Sequence, residues 1–209
     1  KIYADLMIKL QSIKPYIRAI RPHQWPKNIL VFLPMLASHQ FNLYNFKNCL
    51  FAFISFSLVA SSVYIFNDLH DLEADREHPR KCHRPFASGE ISFRKGVFLA
   101  IIFMILGELI AFNLGFSFLV ILTSYFILTT IYTLTLKRRL VLDICVLASL
   151  YTIRIIAGGV ALEILLSVWL LAFSLFFFLS LAAVKRHAEL VDMVSRDTLK
   201  SKGRGYQVE

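Results

Sequence analysis

Cysteine is scarce in this chain: Cys49, Cys82 and Cys145 lie far apart and form no CxxC pair. Neither a disulfide framework nor a zinc knuckle is therefore expected. Internal repeats and low-complexity tracts are absent too, so no repeat architecture is indicated. The net charge is +9, yet the basic residues fall in blocks between apolar runs and form no continuous stripe, which argues against a nucleic-acid partner. The chain opens at Lys1 without Met and shows no short apolar core followed by a small-residue cleavage site, so no signal peptide is expected. With the polar stretch 185–209 stopping at no terminating feature, the sequence reads as an excerpt of a longer protein.

What the chain has in excess is apolar surface. Of its 209 residues 57% are hydrophobic and 19 are Phe, too apolar for an ordinary soluble domain of this size. A membrane-spanning helix needs ~20 mostly apolar residues, and five runs qualify: 46–66, 93–112, 115–136, 140–162 and 165–184. A sixth, 29–37, is short and interrupted by Pro34. Charge placement argues that it crosses. If it does, all 23 basic residues except Lys47 and Arg154 fall on one side, in 1–27, 67–95, 137–139 and 185–209, as cytoplasmic loops require. The expectation is an all-α, polytopic transmembrane bundle with six spans here and both ends cytoplasmic. Residues 1–21 place Leu6, Leu10, Ile13, Ile17 and Ile20 at helical spacing among cations, an amphipathic juxtamembrane segment suited to anionic membrane lipids. A solvated linker is the alternative.

The segment after the 46–66 run reads Asn67-Asp68-x-x-Asp71-x-x-x-Asp75. On a helix the three aspartates take positions i, i+3 and i+7 and share a face. Left alone they repel one another near lipid, and a divalent cation removes that cost. Magnesium takes one or two carboxylates and keeps sites for water and substrate phosphate. The alternative, a solvated acidic helix end, is disfavoured because this cluster closes a span, where the helix dipole opposes anions. Arg76, Arg80, Lys81 and Arg84 follow at once, then Pro85, Ala87 and Gly89 in a turn. Carboxylates for a metal beside cations for phosphate are what departure of a diphosphate needs. The positive-inside rule alone accounts for the number of these cations but not for their place beside the acids. His70, His78, Cys82 and His83 lie nearby, but their spacing fits no common zinc pattern.

Together, Asn67-Asp68-x-x-Asp71-x-x-x-Asp75 and Arg84-Pro85-x-Ala87-x-Gly89 resemble the first aspartate-rich motif of the UbiA superfamily of intramembrane prenyltransferases. Arg21-Pro22-His23-Gln24-Trp25-Pro26-Lys27-Asn28, the stretch from Asp143-Ile144 through Arg154 to Gly158-Gly159, and Lys185-Arg186-His187-Ala188-Glu189 resemble its polyprenyl-phosphate (decaprenyl-phosphate) phosphoribosyltransferase branch. The resemblance covers nearly the whole chain. It implies a transferase domain over 22–209, part of a bundle of about nine spans whose last three are absent here. It also implies Mg²⁺ as cofactor on Asp68, Asp71 and Asp75, which serve as catalytic carboxylates. It further implies substrate-binding roles for Asn67, Lys27, Arg76, Arg80, Lys81, Arg84, Asp143, Arg154, Lys185, Arg186 and Glu189. The superfamily's second aspartate motif is reduced here to Glu189 and Asp192, which leaves a second metal open. Lys185, Glu189, Asp192 and Arg196 still share a helical face that could meet the first motif or simply neutralise itself.

Within the membrane, Asp143 and Arg154 share a face about three turns apart, ~16 Å along the axis, too far to pair. Ionisable groups at this depth face a cavity or each other, so Arg154 is expected to find another anion, a lipid phosphate or Glu108. Phe173, Phe176, Phe177 and Phe178 either line a polyprenyl groove or face lipid. The leading expectation is transfer of phosphoribosyl from phosphoribosyl diphosphate to a polyprenyl phosphate, at the cytoplasmic face of the inner cell membrane. A prenyltransferase acting on an aromatic or other acceptor is the first alternative. A membrane transporter is the second.

Overall fold

A computed structural model describes residues 13–195, and among them every regular element is helical. Expectations that rest on Leu6, Leu10 or Arg196, or on the side chain of Asp192, lie outside the described residues. In chain order come α1 (13–20), a 3-10 helix over Pro22–Phe32, α2 (Leu33–Ala37), α3 (Leu43–His70), α4 (Leu72–Glu77), α5 (Phe93–Asn113), α6 (Phe116–Leu134), α7 (Leu140–Ala161) and α8 (Val168–Ser195). Five of these, α3 and α5 to α8, are long and apolar enough to cross a membrane.

The expected sixth span is not a regular helix. Pro22 opens the 3-10 stretch, Pro26 lies inside it and Pro34 follows in the first turn of α2, and in one continuous α-helix over 22–37 Pro26 and Pro34 would each remove an amide donor that the helix uses. The segment nevertheless runs the height of the bundle beside α3. Arg21 contacts Asp68 near the end of α3, Asn28 donates to Ser57 Oγ at 3.1 Å, and Met35 packs with Cys49 and Leu162 at the opposite end. The 3-10 rise of ~2.0 Å per residue lets Pro22–Ala37 cover about 30 Å, the thickness of the hydrocarbon layer. The apolar run 29–37 makes up only part of that length, and residues 22–28 supply the rest.

Because lipid tails are as apolar as Leu, the helices associate through close packing and interhelical hydrogen bonds. Ser55 Oγ donates to the Gly107 carbonyl at 2.8 Å and Ser62 Oγ to that of Ala100 at 2.7 Å, tying α3 to α5. Phe56 of α3 meets Phe118 and Tyr125 of α6, with ring centroids 6.0 and 5.1 Å apart. Gly158 of α7 lies so close to Val31 that any Cβ would overlap the Val31 carbonyl oxygen, and this contact seats the 3-10 segment against α7. Phe173 and Phe176 point outward, whereas Phe178 is buried and stacks on Tyr151 at 4.9 Å. The links 71–92 and 135–139, together with α1 and the last turns of α8, gather at one end of the bundle, where the cavity described next opens.

Candidate active site

The helix carrying the aspartates breaks at Asp71, which ends α3 and begins α4 with φ −89° and ψ 14°. The expectation that three carboxylates share a face therefore holds for two. Asp68 Oδ1 and Asp75 Oδ2 converge on one atom, Arg84 Nη1, at 3.0 and 2.6 Å. Arg21 Nη2 holds both oxygens of Asp68, at 2.6 and 2.9 Å, and Lys81 lies 3.8 Å from Asp75. Asp71 instead turns to Lys137, 3.7 Å away. Among the described residues no three acidic, His or Cys side chains come together as a metal-ligand set. The donor chemistry still fits magnesium, since two carboxylates converging on a cation-sized point satisfy its usual demand from protein. A guanidinium stands at that point.

Beside this cluster lies a cavity of about 390 Å³ whose lining includes Arg21, Lys27, Lys137, Arg154 and Lys185, with Asn67, Tyr64, Tyr125, Tyr132 and Tyr151 between them. Among the described residues no carboxylate lines it. Arg154 is 5% exposed and bonds only neutral groups: Asn28 Oδ1 at 2.8 Å, Tyr125 hydroxyl at 2.9 Å and the Leu150 carbonyl, with the Tyr125 and Tyr151 rings against its guanidinium. The expected pairing with Glu108 is not made. Glu108 sits between α5 and α6 and accepts from Thr123 at 3.2 Å. Among the described residues the buried charge of Arg154 thus has no counterion, a costly state that an anionic ligand would relieve.

The other expected residues divide clearly. Lys27, Asn67, Arg154 and Lys185 reach the cavity, whereas Arg76 and Arg80 are exposed outside it. Because α8 runs on to Ser195, well beyond its apolar part, it carries Arg186 inward onto Asp143. Asp143 is fully buried, accepting from Arg186 Nη2 at 3.1 Å, from Arg186 Nε and from the Tyr132 hydroxyl at 2.6 Å. Arg186 also donates to Glu189 at 2.6 Å. Neither member of this pair is among the residues lining the cavity, and through Asp143 it holds the hydroxyl of Tyr132, which is. Sequence reasoning did not assign ligand roles to Arg21, Lys137 or the four tyrosines. For Arg21 a signal existed in the Arg21–Asn28 motif. For Lys137 and the tyrosines only the tertiary fold supplies one.

A helical membrane bundle with a cation-lined pocket at one end, beside a pair of buried aspartates, is the class that this fold and site define. Residues 29–200 match the UbiA prenyltransferase family. The chain belongs to that family, and with its five apolar helices it is an integral membrane protein. It is 40% identical over 193 residues to the nodulation protein NoeC of Azorhizobium caulinodans, covering 92% of this chain and 63% of that one. It is also 40% identical over 179 residues to the decaprenyl-phosphate phosphoribosyltransferase of Mycobacterium tuberculosis, covering 83% and 59%. A UbiA homologue of Archaeoglobus fulgidus, solved with GPP and Mg²⁺, superposes with a TM-score of 0.68 at 20% identity, covering 80% of this chain and 60% of that one. The chain spans less than two thirds of the length of these curated relatives.

Proposed function

We propose that the protein is a magnesium-dependent transferase that moves phosphoribosyl from phosphoribosyl diphosphate to a polyprenyl phosphate at the cytoplasmic face of the inner membrane. The observation that carries this reading is the carboxylate-free cavity with its five cations. An allylic prenyl donor is charged only at its diphosphate and needs apolar walls for the rest. A sugar donor carries phosphate at both ends, and the cations here are spread from Arg21, beside the acidic cluster, to Arg154, deep in the bundle. The relatives named decaprenyl-phosphate phosphoribosyltransferase support the same choice.

Asp68 and Asp75 are the residues that would hold magnesium, with Asp71 close in sequence. Bound there, the metal would neutralise the charge that develops on the departing diphosphate. The chain's own groups do the rest. Arg154, Lys27 and Lys185 draw an anionic donor into the cavity, and the Tyr125 and Tyr151 rings hold Arg154 in place. The bond from the ribosyl anomeric carbon to diphosphate breaks, and an oxygen of the lipid phosphate bonds to that carbon. A phosphate is already an anionic nucleophile, so the step requires no general base, consistent with the lack of carboxylates in the cavity lining.

The test incubates membranes bearing the intact protein with Mg²⁺, a polyprenyl phosphate and radiolabelled phosphoribosyl diphosphate. Label in the lipid phase is expected. Absence of lipid label, with prenylation of an added aromatic acceptor, would replace this reading by the prenyltransferase one.

A further inference from the structure

Asp68 and Asp75 are each only 2% exposed and neither lines the cavity, whereas Arg21, which covers Asp68, does. With Arg84 across both aspartates, Lys81 on Asp75 and Lys137 on Asp71, every carboxylate of the motif already has a cationic partner from this chain. A divalent cation arriving alone must displace a guanidinium held by charge-assisted hydrogen bonds.

We infer that Arg84 is an internal counterion that keeps the metal position closed until a diphosphate arrives, and that it then transfers its donors to that diphosphate. Metal and diphosphate consequently bind as a coupled pair. The inference rests on the reading above that these carboxylates hold magnesium for a diphosphate donor. Three features make the exchange feasible. The backbone around Arg84 is anchored, with Phe86 and Ile91 buried, Ser88 N–H donating to the Arg84 carbonyl at 2.8 Å and Ile91 N–H to that of Pro85 at 3.0 Å. Only the side chain, itself 26% exposed, has to turn. A planar guanidinium released from two carboxylates is suited to two-point donation to phosphate oxygens, and Arg21 keeps Asp68 satisfied meanwhile.

The experiment titrates Mn²⁺, as a paramagnetic substitute for Mg²⁺, into the intact protein in detergent. Bound metal is read by electron paramagnetic resonance with and without inorganic diphosphate, corrected for the Mn²⁺–diphosphate complex in solution. In the unmodified protein diphosphate should tighten Mn²⁺ binding about tenfold or more, within the usual range of coupling between sites. Arg84→Gln should bind Mn²⁺ alone roughly tenfold more tightly and lose most of the diphosphate effect. Arg84→Lys, which keeps the charge but not the fork, should shift both quantities the same way by less. Lys81→Gln removes one nearby charge that touches a single carboxylate, and should move Mn²⁺ affinity far less than Arg84→Gln. Unchanged affinity in both Arg84 variants, or an equal gain in Lys81→Gln, would overturn the counterion role while leaving the magnesium reading intact. No bound Mn²⁺ in any form would remove both.

Discussion

Arg186→Gln should destabilise the bundle more than Asp143→Asn, although the two residues form one ion pair. Asp143 is fully buried, and its partners are Arg186 and the Tyr132 hydroxyl. Removing Arg186 leaves a buried carboxylate with a single neutral donor, and breaking such a pair from one side costs ~3–5 kcal/mol. Removing the charge of Asp143 leaves Arg186 with Glu189, whose side chain is 34% exposed, so part of the compensation survives. At 2–4 °C per kcal/mol for a domain of this size, the Arg186→Gln loss amounts to roughly 10 °C in melting temperature. The double variant replaces the ion pair by two amides able to bond each other and Tyr132, and should recover on the order of 2 kcal/mol relative to additivity. The assay is thermal unfolding of the intact protein in detergent, run alongside donor affinity, because Tyr132 lines the cavity and its orientation depends on Asp143. Equal losses in the two single variants, or strict additivity in the double one, would refute the reasoning.

Other expectations are more local. Gly158→Ala should cost ~1–3 kcal/mol through forced overlap with the Val31 carbonyl. Gly159→Ala, which meets only the flexible Leu166 side chain, should cost less, as melting of both variants will show. Asp68→Asn and Asp75→Asn should each abolish phosphoribosyl transfer, because the metal position loses one of its two converging anionic carboxylates; full activity in either would contradict the site. Cys82, partly exposed in the 71–92 link, should react with an impermeant thiol reagent in inside-out vesicles and not in intact cells.

Much of the bundle could be read from hydropathy because the apolar runs are long. The expected spans 46–66, 93–112, 115–136 and 140–162 lie within a few residues of α3, α5, α6 and α7. The last one stopped short at 184 because Lys185 ends the apolar run, yet nothing there breaks a helix and α8 continues to Ser195. Hydropathy measures where lipid ends, whereas helices end where capping or proline ends them. At 29–37 the apolar run is short because the segment that packs beside α3 begins earlier, at Pro22, and charge placement rather than length was what marked it as a span.

The site divides along the same physical line. Spacing of 7 between Asp68 and Asp75 was enough to bring both carboxylates to Arg84, since backbone hydrogen bonds from Asp71 to Asn67 and from Asp75 to Asp71 carry the helical path through the break. The fate of Asp71 could not be read, because it depends on Lys137 arriving from the end of α6. Arg154 shows why charge alone misleads in a membrane. Electrostatics called for an anion, a lipid phosphate or Glu108; the fold does not supply Glu108 and gives Arg154 an amide, a hydroxyl, a carbonyl and two aromatic faces. Neutral acceptors fix a guanidinium in position without cancelling its charge. A carboxylate would have cancelled it, and the deep end of the cavity would then have lost the cation that attracts an anion there.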